Sequence, residues 1–133
     1  MAKLDIHNKL SVTHLRDASA ITASNNGTAL DLQFHHAASF IVNVGTYTDG
    51  TAYAFSLEDS ADNSTFAACA AADVQGTIAN VTSTGTDQKS GILSYIGTKR
   101  YVRLVITVTG SPGTGCVIGV TGLKAFPRDL NAL

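Results

Sequence analysis

The stretch GILSYIGTKRYVRLVITVTGSPGTGCVIGVTGL, residues 91–123, decides the fold class of this chain. Apolar side chains recur at every second position from Val102 to Val108, as in a strand that is half buried in a sheet. Before and after this strand, GTKR at 97–100 and SPGTG at 111–115 supply the Gly and Pro residues that favour turns. The stretch therefore predicts three consecutive β-strands joined by two turns.

A four-residue turn at 97–100 would pair the strand before it with the strand after it. This register predicts Tyr95 opposite Val102 and Leu93 opposite Leu104, all on one apolar face. The opposite face of the same sheet would then carry a second, partly apolar set: Ile92, Ile96, Tyr101 and Val105, together with Ser94 and Arg103. A second apolar face is typically covered by a partner subunit or an arm. We therefore predict intermolecular contacts through four of these residues: Ile92, Tyr101, Arg103 and Val105.

A second turn signal stands at Asp49-Gly50, between two alternating runs at 38–48 and 51–58. Asp-Gly favours a two-residue hairpin, because a type I′ turn needs a positive φ at both central residues. Such a hairpin aligns the apolar residues of both runs on one face, with Val44 opposite Phe55. Turn chemistry and apolar pattern agree, so we predict that both runs lie in one sheet.

The whole pattern predicts an all-β fold. TALDLQF at 28–34 adds an alternating strand with Leu30, Leu32 and Phe34 on one side, and a weak strand is expected near 77–81. Seven or eight short strands without a long helical segment indicate an antiparallel β-sandwich, and a jelly roll is one topology of that class.

Residues 1–28 are irregular and polar, and we separate them as an N-terminal segment from a β-sandwich domain at 29–133. Two readings of this segment stay open. It is either an edge strand followed by a surface loop, or an extended arm that lies on a neighbouring subunit. The arm would make its contacts through three apolar residues: Ile6, Leu10 and Val12.

Composition limits the function classes. A chain of 133 residues suits one domain and can bury a core without staples. The net charge is -1, whereas nucleic-acid-binding proteins carry a basic excess, so we expect no nucleic-acid partner. The sequence has no apolar run of about 20 residues and no signal peptide at its start, which predicts no membrane association and a cytosolic site of synthesis. Cys69 and Cys116 would then remain thiols.

Candidate chemistry is sparse. His35 and His36 are adjacent, so a strand would direct them to opposite faces, and the spacing of metal-binding Cys and His motifs is missing. We expect surface histidines, no metal, no cofactor and no enzymatic activity. Lys99, Arg100 and Arg103 form the one basic cluster of the sequence. They are either solvated or form a salt-bridge patch against an acidic protein neighbour.

Three segments resemble small structural proteins of tailed bacteriophages: SFIVNVGTYTDG (39–50), AFSLEDSADNSTFAACAAADVQGT (54–77) and SYIGTKRYVRLVITVTG (94–110). The features that carry the resemblance are the block 95–103, the run LEDS at 57–60 leading to NSTF at 63–66, and the tail at 126–128. The likeness covers roughly residues 29–128. It implies a virion component with a β-sandwich fold, a capsid decoration or cement protein that is assembled in the host cytoplasm and binds the major capsid protein. It also implies trimers or other symmetric clusters.

Two functional readings follow from the sequence. The first is a structural, non-enzymatic virion protein that clamps neighbouring capsid proteins, with a head–tail junction component as a variant. An apolar second sheet face would make it a homo-oligomer, with a homotrimer as the first expectation. The second reading is a carbohydrate-binding β-sandwich of a tail or surface protein. It needs an exposed aromatic platform, for which the candidates are Tyr47, Tyr53, Tyr95 and Tyr101.

Overall fold

The computed structural model describes residues 6–85 and 89–127. Its strands, in chain order, are β1 (Leu10–Ile21), β2 (Asn25–Asn26), β3 (Leu30–Asp31), β4 (His35–Tyr47), β5 (Ala52–Ser60), β6 (Ala67–Ala68), β7 (Val74–Gln75), β8 (Ser90–Tyr95), β9 (Tyr101–Thr109) and β10 (Cys116–Pro127). Two 3₁₀ turns, His7–Lys9 and Ala71–Asp73, precede β1 and β7. The prediction of an all-β chain is confirmed.

The strands form two antiparallel sheets. Sheet A has the order β1-β10-β4-β8-β7, and sheet B has the order β2-β9-β5-β6, with β3 also paired to β9. The pairing is nested along the chain, since β1 pairs with β10, β2 and β3 with β9, β4 with β8, and β5 with β6. A long hairpin rolled up so that it alternates between two sheets has this connectivity. The chain is therefore an antiparallel β-sandwich with the topology of a jelly roll.

The core fills the space between the two sheets, because each long strand directs alternate side chains inward. Its largest fully buried side chains include Phe40, Tyr95 and Ile118 from sheet A, and Tyr53, Val102 and Ile106 from sheet B. Gly122 in β10 lets the two layers approach, since a Cβ there would lie 2.8 Å from Leu15 and 2.9 Å from Leu30. Burial of each large apolar side chain stabilises the fold by roughly 1.5–3 kcal/mol.

The predicted hairpin at Asp49-Gly50 is wrong. β4 lies in sheet A and β5 in sheet B, so Val44 pairs with Ile118, and Phe55 pairs with Ile106. The chain crosses from one sheet to the other here. The residues of β4 and β5 that a hairpin would direct to the core still face the core after this crossing. The Asp49 carboxylate accepts backbone N–H groups of residues 113–115, which ties this crossing to the one between β9 and β10.

The predicted pairing across 97–100 is wrong for the same reason. β8 belongs to sheet A, where Tyr95 lies opposite Ala38, and β9 belongs to sheet B, where Val102 lies opposite Asp59. Leu93 and Leu104 pair with Phe40 and Leu57 in the same two sheets. All four predicted residues are nevertheless buried, because both strands face one core. The second apolar face therefore does not exist as one surface: Ile92 lies outside sheet A, and the outward residues of β9 lie outside sheet B.

The N-terminal segment joins the sandwich over most of its length. Residues 10–21 form β1, the edge strand of sheet A, paired with β10 from Leu10 opposite Ala125 to Ile21 opposite Cys116. Of the two readings, the edge strand describes these residues, while residues 1–5 lie outside the described part.

Two weaker strand predictions are wrong. The segment 28–34 forms only the two-residue strand β3, and Phe34 lies exposed in a turn after it. The strand expected near 77–81 reduces to a single bridge between Val81 and Tyr53. The end of the predicted tail, from residue 128 onward, lies outside the described residues.

Candidate functional site: the outer face of sheet A

Three cross-strand rows form the outer surface of sheet A. They are Leu10–Ala125–Ala37, Val12–Leu123–Ser39–Ser94 and His14–Thr121–Ile41–Ile92. These residues alternate along their strands with the buried residues of the core, so their side chains point away from it. We refer to the residues of these three rows as the A face.

The A face is mainly apolar, and its one ionisable side chain, His14, pairs with Asp17 at 2.8 Å. Aliphatic side chains make up most of it, and none of these described residues is an Asp, Glu, Lys or Arg. Val12 is 68% exposed and Ile92 is 50% exposed, although both are β-branched aliphatic residues. Loss of charged residues marks the centre of protein interfaces, and a contiguous exposed apolar patch marks an interaction site. The A face thus has the chemistry of a surface that another protein covers.

Further exposed apolar residues lie near the end of the A face where Leu10 lies. Ile96 directly follows β8, Phe126 directly follows Ala125 in β10, and Ile6 precedes β1. All three are exposed. Phe34, which is also exposed, directly precedes β4 and lies in the turn before that strand.

The outer surface of sheet B has the opposite character. It is formed by outward residues of β3, β5 and β9, which we call the B face: Asp31, Ser56, Glu58, Tyr101, Arg103, Val105 and Thr107. The Arg103 guanidinium donates from Nε and Nη2 to Glu58 Oε2 at 2.8 and 2.6 Å, and it lies 4.0 Å from the ring centroid of Phe66. The charged groups of the B face are therefore paired within the chain.

The predicted basic cluster is neutralised within the molecule. Each of its three side chains binds a carboxylate of this chain: Lys99 binds Asp59, Arg100 binds Asp31, and Arg103 binds Glu58. The Arg100 guanidinium holds the pKa of Asp31 well below its usual range, at about 2. Lys99 and Arg100 remain nearly half exposed in the turn and Arg103 points outward from β9, as the first alternative expects, but all three side chains are also paired within the chain.

A buried carboxylate joins the two sheets near 97–100. Asp59 of β5 accepts a hydrogen bond from the Tyr95 hydroxyl of β8 at 2.9 Å and another from Lys99 Nζ at 2.8 Å. The Tyr95 oxygen in turn accepts the Lys99 backbone N–H. Burial raises the pKa of Tyr95, and it raises the pKa of the neighbouring Cys69 thiol to about 12. Both groups are therefore protonated near neutral pH, and the cluster acts as a cross-link between sheets.

The predicted contact residues fall into two groups. Leu10, Val12 and Ile92 are brought together on the A face, with Ile6 beside it, whereas Tyr101, Arg103 and Val105 lie on the B face across the core. The sequence reasoning missed Ile41 and Leu123 at the centre of the A face. A usable signal was present at Ile41, which lies in the outward phase between the buried residues Phe40 and Val42.

The aromatic platform proposed for carbohydrate binding does not form. Tyr53 and Tyr95 are buried in the core, and the Tyr53 hydroxyl donates to the Asp49 carbonyl at 2.6 Å. Tyr101 lies on the B face. The Arg100 guanidinium carbon lies over the Tyr101 ring, 5.0 Å from the ring centroid. The four tyrosines therefore cannot present one exposed stacking surface.

Comparisons with other proteins add no assignment: no family model matches this chain, and no curated protein matches it significantly. Across residues 6–85 and 89–127, no helix is long and apolar enough to span a membrane. The same residues contain no group of three or more His, Cys, Asp or Glu side chains placed to hold a metal ion. The contrast between the two outer faces is the most specific functional feature of the described chain.

Proposed function

We propose that this protein is a structural component of a tailed-phage virion, a capsid decoration protein that binds the major capsid protein through the A face. The observation that carries the proposal is this exposed, uncharged aliphatic surface on one side of a jelly roll. The resemblance of segments 39–50, 54–77 and 94–110 to small phage structural proteins supports the virion setting. The same surface would serve the protein at the head–tail junction.

The mechanism of such a protein is mechanical. Each subunit covers a joint between capsid proteins and adds buried area there, where internal pressure pulls the shell apart. A stable interface buries about 1,600 Å² in total. Several such contacts around one lattice position slow detachment strongly, because one contact holds the subunit in place while another reforms.

The sandwich suits this role because it presents the A face preformed. The central strands β4 and β10 of sheet A pair over most of their lengths, from Ala37 opposite Ala125 to Tyr47 opposite Cys116. The Asp59 cluster joins sheet A to sheet B. A rigid surface loses little conformational entropy on binding, so more of the apolar contact is expressed as affinity.

Self-association belongs to the same proposal. The A face runs across β1, β10, β4 and β8, and Ile6 and Phe126 lie exposed near its Leu10 end. We infer that copies of the chain form a homotrimer on the lattice, sharing the Leu10 end of the surface with Ile6 and Phe126 while the rows of Val12 and Ile92 contact the shell.

The first experiment asks whether the protein is in the particle. Mass spectrometry of purified virions should detect this chain at a stoichiometry set by the capsid lattice, and its absence from the particles would refute the proposal. The second experiment adds purified protein to particles that lack it. Ile92→Asp should weaken binding by at least about tenfold. Thr107→Asp, an equally exposed substitution on the B face, is the matched control and should bind like the wild type.

A further inference from the structure

A separate crevice of about 520 Å³ opens between the turn at 32–36 and the segment 97–100. The backbone joins these two segments, since the Leu32 N–H donates to the Arg100 carbonyl at 2.8 Å. None of the A-face residues lines this crevice. Its volume is in the range of small-molecule sites.

Phe34 occupies an unexpected position in the crevice wall. The turn is closed by the His35 N–H donating to the Leu32 carbonyl at 2.9 Å, which makes Phe34 its third residue. Phe34 has a φ of 67° there, a conformation that favours Gly or Asn and disfavours a bulky residue. The ring is also 48% exposed. Neither backbone preference nor core burial accounts for a phenylalanine at this position, whereas contact with a ligand does.

The crevice presents hydrogen-bond donors, while its nearby acceptors are occupied. Both Asp31 oxygens and Gln33 Oε1 accept from Arg100, and Asp59 accepts from Tyr95 and Lys99. Lys99 has three N–H bonds, and one of them is directed to Asp59. Arg100 makes its bonds through Nε and Nη2, so within the described residues Nη1 is left for another acceptor. Lys99 and Arg100 are each ion-paired within the chain and still have N–H groups that can donate to the acceptors of a ligand.

We propose that the crevice binds an acidic monosaccharide, a hexuronate or a related sugar acid. Its carboxylate accepts hydrogen bonds from Lys99 and Arg100, and the apolar C–H face of its ring lies on Phe34. An acidic peptide fits less well, because the Leu32 and His35 N–H groups at the rim are already bonded within the chain and cannot pair with a peptide backbone. The crevice shares no residue with the A face. The proposal for the crevice and the proposal for the A face can therefore fail separately.

The test is a titration of the isotopically labelled full chain with glucuronate, followed by NMR. Glucuronate should shift the amide signals of residues 33–36 and 97–100, glucose should not, and inorganic phosphate should bind more weakly than glucuronate. Phe34→Gly should weaken glucuronate binding by roughly fivefold to tenfold, the loss of one aromatic contact. Because Gly suits the positive φ, this variant should unfold at or above the wild-type temperature.

Phe126→Gly is the matched control. Phe126 is also an exposed phenylalanine with a positive φ, 53°, but it does not line the crevice. This variant should bind glucuronate like the wild type. The proposal is overturned if Phe34→Gly leaves affinity unchanged, if phosphate binds as tightly as glucuronate, if an acidic peptide binds more tightly, or if glucuronate shifts no amide signal.

Discussion

The two outer faces of this sandwich have the same architecture and opposite chemistry. On the B face, Arg103 and Glu58 lie opposite each other on neighbouring strands and form an ion pair. On the A face, the corresponding cross-strand neighbours are Ile41, which is half-buried, and Ile92, which is exposed. The half-buried pair of Arg103 and Glu58 satisfies both charges within the subunit, so it needs no outside partner. Exposed aliphatic residues gain free energy only when another surface covers them, so the A face is the one that an interaction would stabilise.

The sheet edges differ in a complementary way. Sheet B ends in the two-residue strands β2, β3 and β6, whereas sheet A ends in the twelve-residue strand β1. The register of β1 against β10 shifts twice, between His14 and Arg16 and between Arg16 and Ser19. Such irregularities twist an edge strand and discourage open-ended pairing with other chains. The molecule thus offers the A face for contact while it limits contact along its longest edge.

The largest effect is expected at the contact that joins the two sheets. Asp59→Ala leaves the buried Tyr95 hydroxyl without its acceptor and frees Lys99, so the free energy of unfolding should fall by about 3 kcal/mol. Urea denaturation measures this loss. Glu58→Ala changes the adjacent residue, whose side chain lies on the B face, and should lower the free energy of unfolding by about 1 kcal/mol or less. Equal losses for the two variants would contradict the distinction between an inner cross-link and an outer pair.

A smaller effect is expected on the B face itself. Arg103→Ala removes the contacts with Glu58 and Phe66, and it should lower the free energy of unfolding by about 1 kcal/mol. A double-mutant cycle with Glu58→Ala should give a coupling energy of about 0.5–1 kcal/mol that decreases with added salt. Binding to particles should not change. If Arg103→Ala abolished particle binding at unchanged stability, the B face would be the contact surface.

The ion pair between Asp31 and Arg100 predicts a pH dependence. The pKa of Asp31 is lowered from 3.8 to about 2 in the folded chain, mainly by Arg100, so its contribution is present above pH 4 and is lost as the pH falls towards 2. Both side chains are more than two-fifths exposed, which limits the contribution to less than about 1 kcal/mol. Asp31→Asn should be less stable than the wild type at pH 6, and the difference should shrink as the pH falls through 4 and 2. A difference that stays constant over this range would exclude this origin.

The smallest effect on stability is expected on the A face. Ile92→Ser removes an exposed side chain that the subunit does not cover, so the free energy of unfolding should change by less than about 0.5 kcal/mol. Binding to purified particles that lack the protein should decrease at the same time. A marked loss of stability in a variant that still binds particles like the wild type would mean that Ile92 supports its own subunit instead.

Strand phase could be predicted from sequence, but strand partners could not. The alternation from Val102 to Val108 indicates which side chains face the core, because that pattern depends on local backbone geometry alone. A hairpin and a crossing between sheets preserve the same phase. Asp49-Gly50 suits the positive φ angles of a hairpin turn. Here the positive φ of Gly50, 111°, occurs where the chain crosses between the two sheets. The feature that marks the crossing is a set of hydrogen bonds to Asp49 from backbone N–H groups of residues 113–115, which are distant in the sequence.

The candidate site was predictable in part for the same reason. Leu10 and Val12 are apolar residues of the polar N-terminal segment, and Ile92 lies in the phase opposite to Leu93 and Tyr95, which predicts that it faces outward. Ile41 lies within an apolar run, and its place beside Ile92 and opposite Thr121 follows only from pairing of β4 with β8 and β10. The separation of Ile92 from Tyr101 likewise follows from the crossing at 97–100.

Hydroxyl-radical footprinting of the protein, free in solution and bound to purified virions, tests the central claim most directly. We predict that binding protects Val12, Ile92 and Leu123 on the A face and leaves oxidation of Tyr101 and Val105 on the B face unchanged. Protection of the B-face residues, with the A face oxidised as in the free protein, would contradict the account.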